Sequence, residues 1–317
     1  MMKTDCLGFA RLSARLLALL LVLSGMQAHS AFAAGPPKAG SVFKDCKDCP
    51  EMVVIPPGEF LMGRDGGEPE RYEGPPHQVK INYAFAAGRF ELTNGQYRKF
   101  VAATGHKTAG APCNGFIGDK FAPLPGTKWS DPGYGRPIRD DEPVACIRWS
   151  DAQSYVSWLA GRTGKKYRLL TEAEWEYAAW AGASGLYAWG DDATVACKYA
   201  NIHDLSGARN GAVLSYGPAP CDDGFEIVSP VGRLAPNAFG LYDMIGNVWE
   251  WVEDCYQMPY GDTPVDGSAN LTTGCDRRAS KGGSWRSNYT RQRPSFRGRD
   301  PEALTSQIFG TRIARDL

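Results

Sequence analysis

Apolar residues recur at helical spacing in three segments of the chain, each preceded by helix-start chemistry. Thr93 with Gln96, Ser150 with Gln153 and Thr171 with Glu174 each match a capping box. In that arrangement the two side chains satisfy backbone N–H groups that the first helical turn leaves unpaired. Behind these starts lie Tyr97, Phe100 and Val101; Ala152, Tyr155, Val156 and Leu159; and Trp175, Ala178 and Ala179. Gly105, Gly161 or Gly164, and Gly182 are the expected stops, because glycine enters the left-handed conformation that closes a helix at little steric cost. Ahead of the helices, EMVVIPPGEFLMG places two short apolar runs around Pro56-Pro57-Gly58 and predicts a strand, a turn and a second strand. Beyond Gly182 no long helical period continues. Short apolar pieces there alternate with Gly, Pro, Asn and Asp, the pattern of small strands and ordered loops. The expected class is α+β with little regular secondary structure for the length.

The chain has 317 residues, enough for one large domain or two small ones. No internal repeat, low-complexity tract or interdomain linker is visible after about residue 41, so one domain is expected, over 45–317. All nine Trp lie between Trp129 and Trp285, which predicts an aromatic core in that part. An apolar fraction of 43% excludes a wholly disordered chain. With 35 basic and 35 acidic side chains there is no basic excess to point to a nucleic-acid partner.

The first residues read as an export signal. Lys3, Arg11 and Arg15 precede the apolar run LLALLLVLSGM, and AFAAG supplies a small-residue cleavage context near Ala33. The run is about half the ~20 residues a membrane span needs, and no Cys closes it as a lipoprotein requires. Residues 1–33 are therefore expected to be a signal peptide and 34–44 an exported tail, with the mature chain periplasmic or secreted and not membrane-embedded. Cleavage removes Cys6 and leaves Cys46, Cys49, Cys113, Cys146, Cys197, Cys221, Cys255 and Cys275. An even set in an oxidising compartment implies disulfides, although eight cysteines allow about 105 connectivities. Neighbour pairing is the simplest arrangement. Cys46-Lys-Asp-Cys49 has the spacing of a redox pair, but Pro50 and an apolar strand follow it instead of the helix that activates such a thiol, so a local structural disulfide is expected.

Candidate chemistry centres on YDMIGNVWEW, where Asp243 and Glu250 flank a Gly-Asn turn. Carboxylates and backbone carbonyls converging on a small volume are the hard-oxygen environment that Ca²⁺ prefers. A second oxygen-rich set is Asn201-Ile202 with Asp222-Asp223-Gly224-Phe225. Neither resembles an EF-hand loop, so solvated turn carboxylates are the alternative. His77, His106 and His203 have no transition-metal spacing. No G-x-S-x-G, H-E-x-x-H or Walker-type loop appears. The arginine-rich stretch from Arg277 to Arg315 is either a basic patch for an acidic ligand or a set of side chains structuring a loop-rich core.

Several strings together resemble the sulfatase-modifying-factor family, which includes the formylglycine-generating enzymes. They are MVVIPPGEFLMG, ELTNGQYRKF, PVACIRWSDAQSYVSWL, YRLLTEAEWEYAAWAG, PVGRLAPNAFGLYDMIGNVWEWVEDCY, KGGSW and the closing FGTRIAR. The resemblance implies a C-type-lectin-like α+β fold over roughly 45–317. It also implies structural calcium. One ligand set would be Asn201, the Ile202 carbonyl, Asp223 and the Phe225 carbonyl. The other would be Asp243, the Gly246 and Val248 carbonyls, and Glu250. The family's oxidases use O₂ and a pair of copper-binding cysteines just after a GGS motif. Here that stretch reads GGSWRSNYTRQRPSF, with Ser287 where the first cysteine belongs and Tyr289 to Gln292 covering the second. Soft thiolates suit Cu(I) and no hydroxyl replaces them, so copper and formylglycine formation are not expected.

Trp249, Ser284 and Ser287 match the neighbourhood of the family's active site and are the cleft candidates, with Arg286 available for an anionic group. Sulfoxide synthases of the family use iron held by an additional helical domain, which this chain lacks. The chain is more similar to an exported accessory branch, one member of which acts in periplasmic pyoverdine maturation. The resemblance therefore implies an exported, calcium-binding protein that assists oxidative maturation of a peptide-like or siderophore-like substrate. The alternative is a non-catalytic lectin-like binding module.

Overall fold

The computed structural model describes residues 38–68, 71–108, 112–118, 120–209, 214, 216–261 and 263–317. The expected signal peptide, Cys6 and the first residues of the expected tail lie outside them. The end of that tail belongs to the fold: Val42–Phe43 pairs with Met52 and Val53, and the Gly40 N–H donates to the Val54 carbonyl at 2.8 Å.

Helix α1, Asn94–Thr104, starts as the local sequence dictates. Thr93 Oγ1 accepts from the Gln96 N–H at 3.3 Å, and Gln96 Oε1 accepts from the Thr93 N–H at 3.1 Å. The chain leaves α1 through Gly105 at φ 66°. Helix α2, Trp149–Thr163, begins earlier than Ser150 and Gln153 suggest, because Asp151 Oδ2 accepts from the Arg148 N–H at 2.9 Å. Gln153 instead donates to Glu253 Oε2 at 2.7 Å. Of the two candidate stops, Gly164 closes α2, at φ 67°. Helix α3, Glu172–Trp180, has the expected Thr171–Glu174 box, but its left-handed closing residue is Ala181, at φ 46°, one before Gly182.

A five-stranded antiparallel sheet has the order Val42–Phe43, Met52–Ile55, Phe85–Gly88, Ile313–Asp316, Tyr167–Leu169. Side chains alternate between its faces. Val53, Ile55, Ala87 and Ala314 join a core with Trp175 and Ala178 of α3. Met52, Ala86 and Ile313 join another with Tyr97 and Phe100 of α1 and Tyr155 and Leu159 of α2. Helices on both faces explain why Met52–Ile55 is buried along its whole length. The strand Gly58–Met62 does not return to this sheet but pairs with His77–Ile81.

A four-stranded sheet has the order Gly298–Pro301, Arg277–Lys281, Trp249–Cys255, Phe309–Thr311, and only its last pair is parallel. It carries a third core of Trp249, Trp251, Trp285, Phe296 and Phe309. Past α3 the described residues hold only short helical pieces, such as Leu205–Arg209. The class is α+β with sparse regular structure, as expected.

Disulfides and buried ion pairs brace the loops. The disulfides are Cys46–Cys49, Cys113–Cys146, Cys197–Cys221 and Cys255–Cys275, the neighbour pairing. The C-terminal arginines largely structure the core. Arg297 binds both oxygens of Glu172 at 2.6 and 2.9 Å, Arg312 binds Glu250, and Arg293 binds Glu73. Among the described residues, no helix is long and apolar enough to cross a membrane.

Candidate functional site

The strand Arg277–Lys281 leads into a tight turn at Gly282 and Gly283, with φ 92° and 78°, where any side chain would be strained. A Cβ on Gly283 would stand 2.2 Å from Gln292 Oε1, so only glycine lets the buried Gln292 amide lie against this backbone. The turn then closes on itself around Ser284. The Ser284 N–H donates to Ser287 Oγ at 3.0 Å, and its carbonyl accepts from the Ser287 N–H at 2.9 Å and from Gln292 Nε2 at 3.3 Å. The two hydroxyls are 3.1 Å apart.

Ser284 and Trp249 are interior, and Trp249 stacks on Phe309 with ring centres 6.0 Å apart. Ser287 is the partly exposed member of the three cleft candidates. No thiol is present here. All eight cysteines among the described residues are in disulfides.

The two oxygen-rich sets lie next to each other. Asn201 forms a bridge with Gly246, the Asn247 N–H donates to the Asn201 carbonyl at 2.7 Å, and a Cβ on Gly246 would be 2.1 Å from that carbonyl oxygen. The turn carrying the second set reaches the Ser284 turn as well: the Gly246 N–H donates to the Gly282 carbonyl at 2.8 Å and the Trp285 N–H to the Asn247 carbonyl at 2.9 Å.

In the first set, Asp223 Oδ1 accepts from the Phe225 N–H at 2.7 Å and Oδ2 from the Ile202 N–H at 3.3 Å. Ser206 Oγ lies 2.6 Å from Asp204 Oδ1 and 3.0 Å from both Asp223 Oδ1 and the Phe225 carbonyl. One hydroxyl proton cannot serve three acceptors, and burial pushes the Asp223 carboxyl up to about 7. In the second set, Glu250 Oε2 accepts from Trp175 Nε1 at 2.6 Å, and Arg312 binds Glu250 Oε1 at 2.7 Å. Glu91 holds the turn from behind, taking Asn247 Nδ2 at 2.7 Å and the Val248 N–H at 3.1 Å. Burial pushes the carboxyls of Glu91, Asp243 and Glu250 upward, and repulsion from neighbouring carboxylates adds to the effect at Glu91 and Asp243.

These residues fit a hard divalent cation in part. The side-chain oxygens Asn201 Oδ1 and Asp243 Oδ1 are buried without a partner, and three buried carboxylates face one guanidinium, Arg312. The first leaves oxygen lone pairs free and the second an excess of carboxylates over cations, both of which oxygen-loving Ca²⁺ would satisfy. Glu250 fits less well, since Arg312 and Trp175 already engage both of its oxygens. Among the described residues no group of three His, Cys, Asp or Glu side chains is arranged to hold a metal, so backbone carbonyls would have to complete either set. Sequence reasoning gave no role to Glu91, Asp204 or Ser206, and read Arg312 only as one of the C-terminal arginines, not as the partner of Glu250.

Two clefts open away from the Ser284 turn. One of about 720 Å³ is lined by Phe60, Tyr177, Trp180 and Leu186, with Asp65 and Asp191 among its polar groups. The other, of about 400 Å³, lies between Trp180, Trp189, Tyr199 and Leu241 and reaches Asp243.

Residues 38–317 match the sulfatase-modifying factor enzyme 1-like domain. The chain belongs to the sulfatase-modifying-factor family. It is 31% identical to the formylglycine-generating enzyme of Bos taurus over 299 residues, covering 84% of this chain and 75% of the relative. It is 33% identical to the inactive C-alpha-formylglycine-generating enzyme 2 of Mus musculus over 264 residues, covering 74% of each chain. Among solved structures, PvdO from Pseudomonas aeruginosa superposes with a TM-score of 0.73 at 35% identity, covering 89% of this chain and 100% of that one. The fold is therefore the family's C-type-lectin-like α+β fold.

Proposed function

We propose that this family member is an exported, calcium-stabilised protein that assists oxidative maturation of a peptide-like or siderophore-like substrate and does not itself generate formylglycine. The observation that carries the second half is the Ser284 turn. Ser287 and Gln292 are tied to Ser284 by hydrogen bonds, and no free thiol exists among the described residues. Neither Ser287 nor any residue from Tyr289 to Gln292 offers a soft ligand for Cu(I). Four disulfides suit an oxidising compartment, which supports export. The partnerless oxygens of Asn201 and Asp243 support calcium. Calcium bound there would hold two loops together as a structural ion. The protein's own part would be to place the substrate at the accessible edge of the turn, around Ser287, over a floor fixed by Ser284, Trp249 and Trp285.

A non-catalytic binding module is the second reading, favoured by the burial of Ser284 and Trp249, which leaves the Ser287 hydroxyl as the one partly exposed group among the three cleft candidates. Oxygen uptake by the mature protein with candidate peptides and siderophore precursors separates the two. Substrate-dependent uptake supports the maturation role; saturable binding without uptake replaces it with the module.

A further inference from the structure

Arg286 differs from the arginines around it. Arg291, Arg293, Arg297 and Arg312 each meet a glutamate, whereas no carboxylate pairs with Arg286 among the described residues. Its guanidinium lies 4.3 Å from the centre of the Phe116 ring and 5.9 Å from that of Trp285, and one nitrogen, Nη2, donates to the Gly118 carbonyl at 2.5 Å. The Arg286 Nε and the Trp285 indole Nε1 are both buried without a partner. Tyr216 fixes the backbone from the other side, its hydroxyl donating to the Arg286 carbonyl at 2.7 Å. Two N–H donors on consecutive residues have therefore lost water without gaining an acceptor, beside a guanidinium that no carboxylate pairs with among the described residues, a costly arrangement that an anionic oxygen ligand would relieve. Arg286 remains only half-buried, so its outer edge is reachable, and it sits next to Ser287.

We propose that Arg286, flanked by Trp285 and Phe116, is a recognition site for a carboxylate carried by the ligand that the Ser287 turn receives. One guanidinium between two aromatic rings matches a planar monoanion. A phosphate dianion would call for a second cation. Burial pulls the proton affinity of Arg286 down, offset in part by the Tyr216 phenol but by no carboxylate among the described residues, which is consistent with a cation awaiting its counter-charge. This inference rests on placing the ligand at the Ser287 turn, but not on any chemistry occurring there.

Calorimetric titration of the mature protein with benzoate, benzamide and inorganic phosphate tests it. Benzoate should saturate, with the neutral amide at least tenfold weaker. Arg286→Gln should weaken benzoate at least tenfold while the ligand-free protein keeps a cooperative thermal transition. Arg286→Lys, which keeps the charge, should lose less, and Trp285→Phe, which removes one donor, should weaken benzoate a few-fold. Equal affinity for benzoate and benzamide, or undiminished benzoate binding by Arg286→Gln, would overturn the site. Phosphate binding more tightly than benzoate would overturn the ligand class. Oxygen uptake measured in parallel keeps the outcomes apart: carboxylate binding without uptake removes only the maturation role, and uptake unaffected by Arg286→Gln removes only this site.

Discussion

Gln292 donates its side-chain amide to the carbonyl of Ser284 at 3.3 Å while its own carbonyl oxygen, buried beside Gly283, has no partner. The side chain is thus a structural brace beneath the turn. Gln292→Ala should leave the Ser284 carbonyl with one bond fewer and a void under Gly283. The expected loss is about 1–3 kcal/mol, read by urea denaturation. An unchanged midpoint would show that the brace carries no load.

Arg312 is the only cation that the three carboxylates Glu91, Asp243 and Glu250 share among the described residues. Removing one partner of a buried ion pair leaves the other charge uncompensated, at about 3–5 kcal/mol. Arg312→Met should therefore destabilise by that order or prevent folding, and Arg312→Met combined with Glu250→Gln should recover part of the loss. A double variant no better than the single would contradict the charge argument.

How much of this was visible in the sequence depends on distance along the chain. The boxes at Thr93 and Thr171 are complete within four residues, so they could be read directly. The start of α2 could not, because Ser150 and Gln153 imitate a box while Asp151 makes the bond that decides the start, to Arg148. Ala181 closes α3 in a conformation that sequence rules assign to glycine. The neighbour disulfides were legible because they close short loops. Glu250 and Arg312, 62 residues apart, were legible separately as motif residues but not as a pair. The unpaired state of Arg286 depends on which carboxylates the fold brings near it, which no local string records.

Stability should fall as pH rises from about 4 to about 8. Burial, and then repulsion from Glu172, push the Asp254 carboxyl up to about 8. In the unfolded chain it ionises near 3.9. Above that pH the unfolded chain gains from ionisation that the folded chain cannot yet match, and the penalty is complete once pH passes the folded value. Asp254→Asn should flatten the decline in thermal midpoint between pH 5 and 8.5 relative to the parent protein. A parallel decline in both proteins would rule out Asp254 as its source.

Calcium should raise the thermal midpoint and chelator should lower it, because a ligand that binds only the folded state stabilises it by mass action, about 2.7 kcal/mol at a hundredfold excess over Kd. Asp223→Asn should blunt the calcium response, read as the difference between the midpoints in calcium and in chelator, beyond the lower baseline expected from its lost backbone acceptor. A parent protein indifferent to calcium and chelator would remove the ion from the account.

The most direct test of the central claim is to load the mature protein, with its four disulfides intact, with Cu(I) under anaerobic conditions, remove loose metal, and then supply O₂ and a cysteine-containing sulfatase-type peptide. The account predicts no stoichiometric copper and no aldehyde in the peptide by mass spectrometry. Tight one-to-one copper with catalytic aldehyde formation would contradict it.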